Sequence, residues 1–329
     1  MRQVRPVPES QPMMKSNSSL LPAGIWPPAL TAFTPAGELD MAGNRALFEQ
    51  YAAAGVDGLF VTCLTGELNC LSIDEILRLN RLAVEVAAGR FPIVGGVMPA
   101  VGGIDAIARD AVHLAGTGVA AVVVLVSQLA GPDEGDDRLL ANAERLLQLT
   151  GDLPLGLYEC PKPYHRRLEE ETLAKLAATG RFLFFKDTCC DIARIRRRIE
   201  LIHGTPLRLY NANAATLLDS FRAGADGYCG VGANYYPELF RQLWQRRGLA
   251  EADEIQHFIA ANDSLADLGK AYPVSAKYMM QLFGVPMSLR CRITERSIAP
   301  ADGERLQQLD VEAERLISRF SPAAATETA

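Results

Sequence analysis

From Trp26 onward, short apolar runs and amphipathic runs alternate along the chain. The apolar runs read as strands at 28–33, 58–62, 92–97, 120–126, 154–158, 182–186, 207–210 and 227–230. They show little period-two alternation, which suits strands buried on both faces. Between them, stretches rich in Ala, Leu, Glu and Arg read as helices near 41–54, 73–89, 103–116, 136–149, 168–178, 191–202, 213–223 and 236–246. Ser72 with Glu75 has capping-box spacing. Gly55, Gly116 and Gly180 stand where helices should stop.

This rhythm predicts an α/β fold: a (β/α)8 TIM barrel over residues 22–247. A doubly wound sheet is the alternative, but no strand is followed by G-x-G-x-x-G. Residues 248–320 carry only helical patterns and read as helices packed on the barrel. Residues 1–21 and 321–329, polar and rich in small residues, read as a disordered arm and tail.

Composition narrows the function. Net charge is −6 and no basic run interleaves with aromatics, so nucleic acid is not an expected partner. The longest apolar run, 119–126, is far too short to span a membrane. No apolar core follows the N-terminal arginines, so the opening residues do not read as a secretory signal. Seven cysteines without a C-x-x-C pair, and four scattered histidines, give no metal site or disulfide framework. A reducing cytoplasm is the expected compartment.

The candidate chemistry sits at three predicted strand ends. Cys63-Leu64-Thr65-Gly66-Glu67 follows the second strand, Tyr158-Glu159-Cys160-Pro161 ends the fifth, and Lys186 ends the sixth after four large apolar residues. In a parallel barrel these ends share one mouth. A lysine there can attack a ketone to form a Schiff base. Lysine's ordinary pKa is about 10.4, so free amine is scarce at neutrality, and an apolar surround favours it. A phenol beside a hydroxyl can carry the protons that imine formation requires. Cys160, Cys189 and Cys190 read as small buried residues, and His165 and Arg166 as rim residues.

The T-G-E turn, the Tyr-x-x-Pro, and a lysine 28 residues after that tyrosine resemble the dihydrodipicolinate synthase / N-acetylneuraminate lyase family. Gly95-Gly96, Ala223 to Gly227, and Pro273-Val274-Ser275-Ala276-Lys277 agree with it. The resemblance implies a class I aldolase on a (β/α)8 barrel with extra C-terminal helices. It implies Lys186 as the Schiff-base residue and Tyr158 as the proton relay. Thr65, with the backbone of Leu64 and Gly66, would hold the carboxylate of a 2-keto acid such as pyruvate. Glu67 would brace the turn. No metal and no cofactor beyond the covalent lysine imine is implied, and a homo-oligomer, tetramer or dimer, is.

Three positions depart from the family pattern. Leu64 replaces a small hydroxyl residue. Ser127-Gln128-Leu129-Ala130 contains no tyrosine to reach a neighbouring subunit. Pro163 stands where an arginine would take a second substrate's carboxylate, with Arg166 and Arg167 nearby. The pyruvyl half of the site reads as kept and the other half as rebuilt. The expected function is a lyase acting on pyruvate or a 2-keto acid. Dehydration of a 2-keto-3-deoxy sugar acid through the same imine, or keto-acid binding without turnover, are the alternatives. Condensation of pyruvate with aspartate semialdehyde is expected to be negligible.

Overall fold

The computed structural model describes residues 20–99, 101–267 and 271–321, with the side chains of 264–267 excepted. The arm and tail expected at the chain ends lie outside the described residues, apart from positions 20, 21 and 321. Eight strands form one parallel sheet: β1 (Gly24–Ile25), β2 (Leu59–Val61), β3 (Ile93–Val97), β4 (Ala121–Leu125), β5 (Leu155–Tyr158), β6 (Phe182–Asp187), β7 (Arg208–Asn211) and β8 (Gly227–Tyr228). The order runs from β2 to β8 and then to β1. The sheet closes where Pro28 bridges Phe60 in parallel, with Ala29 N donating to Phe60 O at 2.9 Å. The fold is therefore a (β/α)8 barrel.

The first strand is a correction. Expected at 28–33, its sheet pairing instead lies at Gly24, Ile25 and Pro28. Pro27 and Pro28 lack the N–H that a ladder needs. Beyond them the amides turn to side chains: Leu30 N donates to Tyr51 Oη at 3.3 Å and Ala32 N to Asn44 Oδ1 at 2.9 Å.

Helices α1 (Met41–Ala53), α2 (Ile73–Ala87) and α3 (Gly103–Ala115) alternate with the early strands. The capping box at Ser72 and Glu75 forms as expected. The stop at Gly116 falls as expected, since that residue caps α3 in a right-handed conformation and the left-handed turn follows at Gly118, φ +92°. A short α4 (Val126–Leu129) ends β4 one residue earlier than expected. Then come α5 (Asp136–Thr150), α6 (Glu170–Ala178), α7 (Ile192–Ile202), α8 (Leu217–Ala223) and α9 (Pro237–Arg246). The helix after β7, α8, starts later than residue 213 because Asn213 Oδ1 caps Thr216 N at 2.9 Å.

The C-terminal helices are α10 (Glu251–Asp267), α11 (Val274–Leu282) and α12 (Pro300–Phe320). Ile255, Ile259, Met279, Met280 and Leu306 are buried in one cluster with Leu239, Phe240 and Leu243 of α9. They share the barrel's core rather than building their own. No helix among the described residues is long and apolar enough to cross a membrane.

The barrel interior is aromatic. Phe184 stacks on Tyr210 at 4.6 Å and meets Phe60 and Trp26 edge-on or tilted at 5.6 and 5.4 Å. Side chains alternate along a strand, so Phe184 and Lys186 point inward. Phe185 and Asp187 point outward to the helix layer, where Arg198 of α7 lies over the Phe185 ring.

Candidate active site

Lys186 and Tyr158 are direct partners across β5 and β6. Both are buried, and Lys186 Nζ lies 4.6 Å from the Tyr158 ring centroid and 5.6 Å from that of Phe60. They stand at the floor of a cavity of about 850 Å³ at the C-terminal end of the strands. Leu64, Thr65 and Thr188 share its walls. Burial pushes the Tyr158 phenol well above its usual range, and the thiols of Cys160 and Cys63 beside it add to this. The phenol therefore holds its proton at neutral pH and is available as a donor. Cys229 closes the apolar surround, its thiol raised by burial to about 12.

Alternation explains what fixes the pair. Each inward residue is followed by an outward carboxylate, Glu159 after Tyr158 and Asp187 after Lys186. Both carboxylates clamp Arg198, and all three side chains are fully buried. Arg198 Nη2 donates to Glu159 Oε1 at 2.7 Å, and Arg198 Nη1 binds Asp187. Burial by itself lowers the Arg198 pKa, but Asp187 and Glu159 outweigh it and keep the guanidinium charged. Burial raises the Glu159 carboxyl despite Arg198.

The T-G-E turn faces the pair across the cavity. Leu64–Gly66 forms one 3-10 turn, and Glu67 follows in the left-handed region at φ +61°. The first N–H groups of such a turn have no partner inside it, so they offer donors to an anion. Gly66 does not line the cavity: its carbonyl accepts Thr31 Oγ1 at 2.7 Å. A Cβ there would meet Ala29 O at 2.9 Å, so the position needs glycine. Glu67 braces the turn through distant partners. Lys277 Nζ donates to its Oε1 at 2.8 Å, and the amides of Arg292 and Ile293 to its Oε2 at 2.6 and 2.9 Å.

The rim residues fall elsewhere. Arg166 is tied to Gly131 O, Glu134 O and Asp136, joining the loops after β4 and β5, and does not line the cavity. His165 Nε2 meets Thr188 Oγ1 at 2.8 Å, so it touches the cavity wall from outside. Cys160 and Cys189 are buried as expected, whereas Cys190 is exposed, in a left-handed conformation at φ +58°. The turn that aims α7 outward carries it to the surface.

Residues 21–315 match the model of the "Dihydrodipicolinate synthetase family". The chain belongs to this family. It is 28% identical over 265 residues to "4-hydroxy-tetrahydrodipicolinate synthase 1" of Streptomyces coelicolor, covering 78% of this chain and 83% of that protein. It is 26% identical over 276 residues to "Probable 2-dehydro-3-deoxy-D-pentonate aldolase YjhH" of Escherichia coli, covering 82% and 90%. Its fold matches YagE, a prophage protein of the family from E. coli solved with pyruvate, at TM-score 0.77, 23% identity and 89% and 98% coverage. Dihydrodipicolinate synthase from Aquifex aeolicus matches at TM-score 0.77, 19% identity, and 89% and 98% coverage.

Several residues of the site and its support escape a reading of short motifs. Arg198 is one arginine among several on α7, and nothing local marks it as the buried one. Tyr272, Pro273, Ile293 and Arg296 come from the C-terminal part of this family member and also line the cavity. The only local signal for them is Pro273 to Lys277, a helix start that ends in a lysine.

Proposed function

We propose that this protein is a class I lyase that forms an imine between Lys186 Nζ and the ketone carbon of a 2-keto acid. The observation that carries the reading is the Lys186–Tyr158 pair, side by side on the cavity floor. The free amine attacks C2, and Tyr158 passes a proton to the carbinolamine oxygen, which leaves as water. The resulting iminium draws the electron pair of the C3–C4 bond toward nitrogen. Tyr158, deprotonated by the preceding step, takes the C4 hydroxyl proton as the bond breaks; an aldehyde departs, and the enamine takes that proton at C3. Water then hydrolyses the imine and returns pyruvate and free Lys186. The reverse sequence condenses pyruvate with an aldehyde. The imine is the electron sink, so the proposal assigns no metal or organic cofactor.

In this reading the substrate carboxylate sits on the N–H groups of the Leu64–Gly66 turn, beside Thr65. Pyruvate bound to YagE and the pentonate aldolase relative support a 2-keto-3-deoxy acid as substrate. The rebuilt second half speaks against aspartate semialdehyde, since Pro163 offers no side-chain donor and Arg166 is committed to the loops.

The test is a screen of 2-keto-3-deoxy acids, and of pyruvate with aldehydes, read as pyruvate released or consumed. Lys186→Ala is the blank. Turnover by the wild type that the variant lacks is expected. Turnover that survives Lys186→Ala contradicts the mechanism. Loss of water without pyruvate release redirects the assignment to dehydration.

A further inference from the structure

The cavity has a third wall, and it carries an unexplained group. Tyr272 and Pro273, in the turn before α11, line the cavity together with Tyr158 and Lys186. The Tyr272 hydroxyl oxygen is buried and has no hydrogen-bond partner among the described residues. Such groups are rare in native proteins because a buried hydroxyl without a partner is costly. Tyr228 also buries an unpaired hydroxyl, but it stacks on Phe240 at 4.4 Å and does not line the cavity.

The placement of Tyr272 is fixed. Lys277, in the first turns of α11, is clamped to Glu67, two residues after Thr65. Ser275 Oγ meets Tyr235 Oη at 2.8 Å. The first tie holds the start of α11 against the T-G-E turn, and the second holds it against the loop after β8. Thr65 is the polar side chain that faces the Tyr272 phenol, and it approaches without closing a hydrogen bond of good geometry. Burial holds that phenol well above its usual pKa, so it keeps its proton and can only gain by donating it to an acceptor.

We infer that Tyr272 donates a hydrogen bond to the carboxylate of the 2-keto acid seated on the Thr65 turn. The C-terminal helices thereby supply part of the substrate site. The inference rests on the imine reading of the same cavity. A phenol donating to a carboxylate makes a short, charge-assisted bond, stronger than a bond between neutral groups. It also adds a side-chain donor to a cavity wall where Leu64 has none. The carboxylate then has backbone donors on one side and the phenol on the other. No proton is transferred in this role, and Tyr158 remains the relay beside Lys186.

The test compares wild type, Tyr272→Phe and Lys186→Ala in borohydride trapping over a range of pyruvate concentrations. For Tyr272→Phe, trapping on Lys186 is expected to persist at saturation. The pyruvate concentration for half-maximal trapping is expected to rise about 10- to 100-fold, the range for losing a hydrogen bond to a charged group. With acetone, a ketone without a carboxylate, wild type and Tyr272→Phe are expected to trap alike. The ligand-free Tm of Tyr272→Phe is expected to equal or exceed that of wild type, because only an unpaired hydroxyl is removed. An unchanged pyruvate dependence overturns the role of Tyr272 and leaves the imine standing. Equal weakening with acetone, or a Tm several degrees lower, marks Tyr272 as packing and also overturns it. No trapping in the wild type overturns both readings.

Discussion

Two buried cations lie beneath the two halves of the cavity, and each is clamped by carboxylate. Arg198 holds Glu159 and Asp187 behind the lysine and tyrosine. Lys277 holds Glu67 behind the turn. The first cluster is built within the barrel, from β5, β6 and α7. Its carboxylates stand next in sequence to the residues they position, and Leu168 N and Cys189 N complete it at 2.7 and 2.8 Å. The second spans 210 residues, from the β2 loop to α11, and draws in the amides of 292 and 293. The nucleophile half is thus fixed by strand alternation and by partners within the barrel. The half facing the substrate carboxylate depends on the C-terminal helices docking correctly.

The contrast can be broken from either side. The largest effect is expected for Arg198→Ala, which leaves two carboxylates buried without their cation. Breaking such a cluster costs about 3–5 kcal/mol, read as a shift in urea midpoint at constant slope. A loss below about 1 kcal/mol would show that the carboxylates find protons or water instead. Lys277→Met should cost less, about 3 kcal/mol, because Glu67 keeps two backbone donors. It should also weaken pyruvate binding, since the turn and Tyr272 lose their common anchor. Destabilisation with unchanged binding would sever the second cluster from the site.

The smallest effect comes from a pair at the edge of the second cluster. Arg292 grips Glu75 with two hydrogen bonds at 2.8 and 2.6 Å. That contact, against partial burial and aided by Ser72, holds the Glu75 carboxyl at about 2, below its usual 4.5. A depressed folded-state pKa gives stability that is complete above the unfolded value and is lost as pH falls through the folded one. The stability gap between wild type and Glu75→Gln should therefore be full above about pH 5 and shrink toward pH 2. Its size should be about 1–2 kcal/mol, for a pair of partly exposed groups. A gap that ignores pH over this window would remove Glu75 from the ionic account.

The same division describes what the sequence made readable. Lys186, Tyr158 and Thr65 were legible because each ends a strand or opens a turn, and barrel topology brings such ends together. Strand alternation would also have sent Glu159 and Asp187 outward, but choosing Arg198 as their partner needs the packing of α7 on β6. The first strand was misplaced because 28–33 is apolar like a strand, while its prolines and the side-chain caps at Tyr51 and Asn44 forbid a ladder. Gly66 was legible as part of the turn, but the contact of its carbonyl with Thr31 behind the turn was not. Tyr272 was invisible because its position follows from an ion pair between residues 67 and 277, which no local pattern encodes.

The central claim is that Lys186, held beside Tyr158, forms the imine. The most direct measurement is peptide mapping by mass spectrometry after incubation with pyruvate and borohydride. The expected result is one reduced pyruvyl adduct, on the peptide containing Lys186, with loss of turnover in step with labelling. An adduct on Lys162 or any other lysine, or an unmodified and fully active protein, would contradict the account.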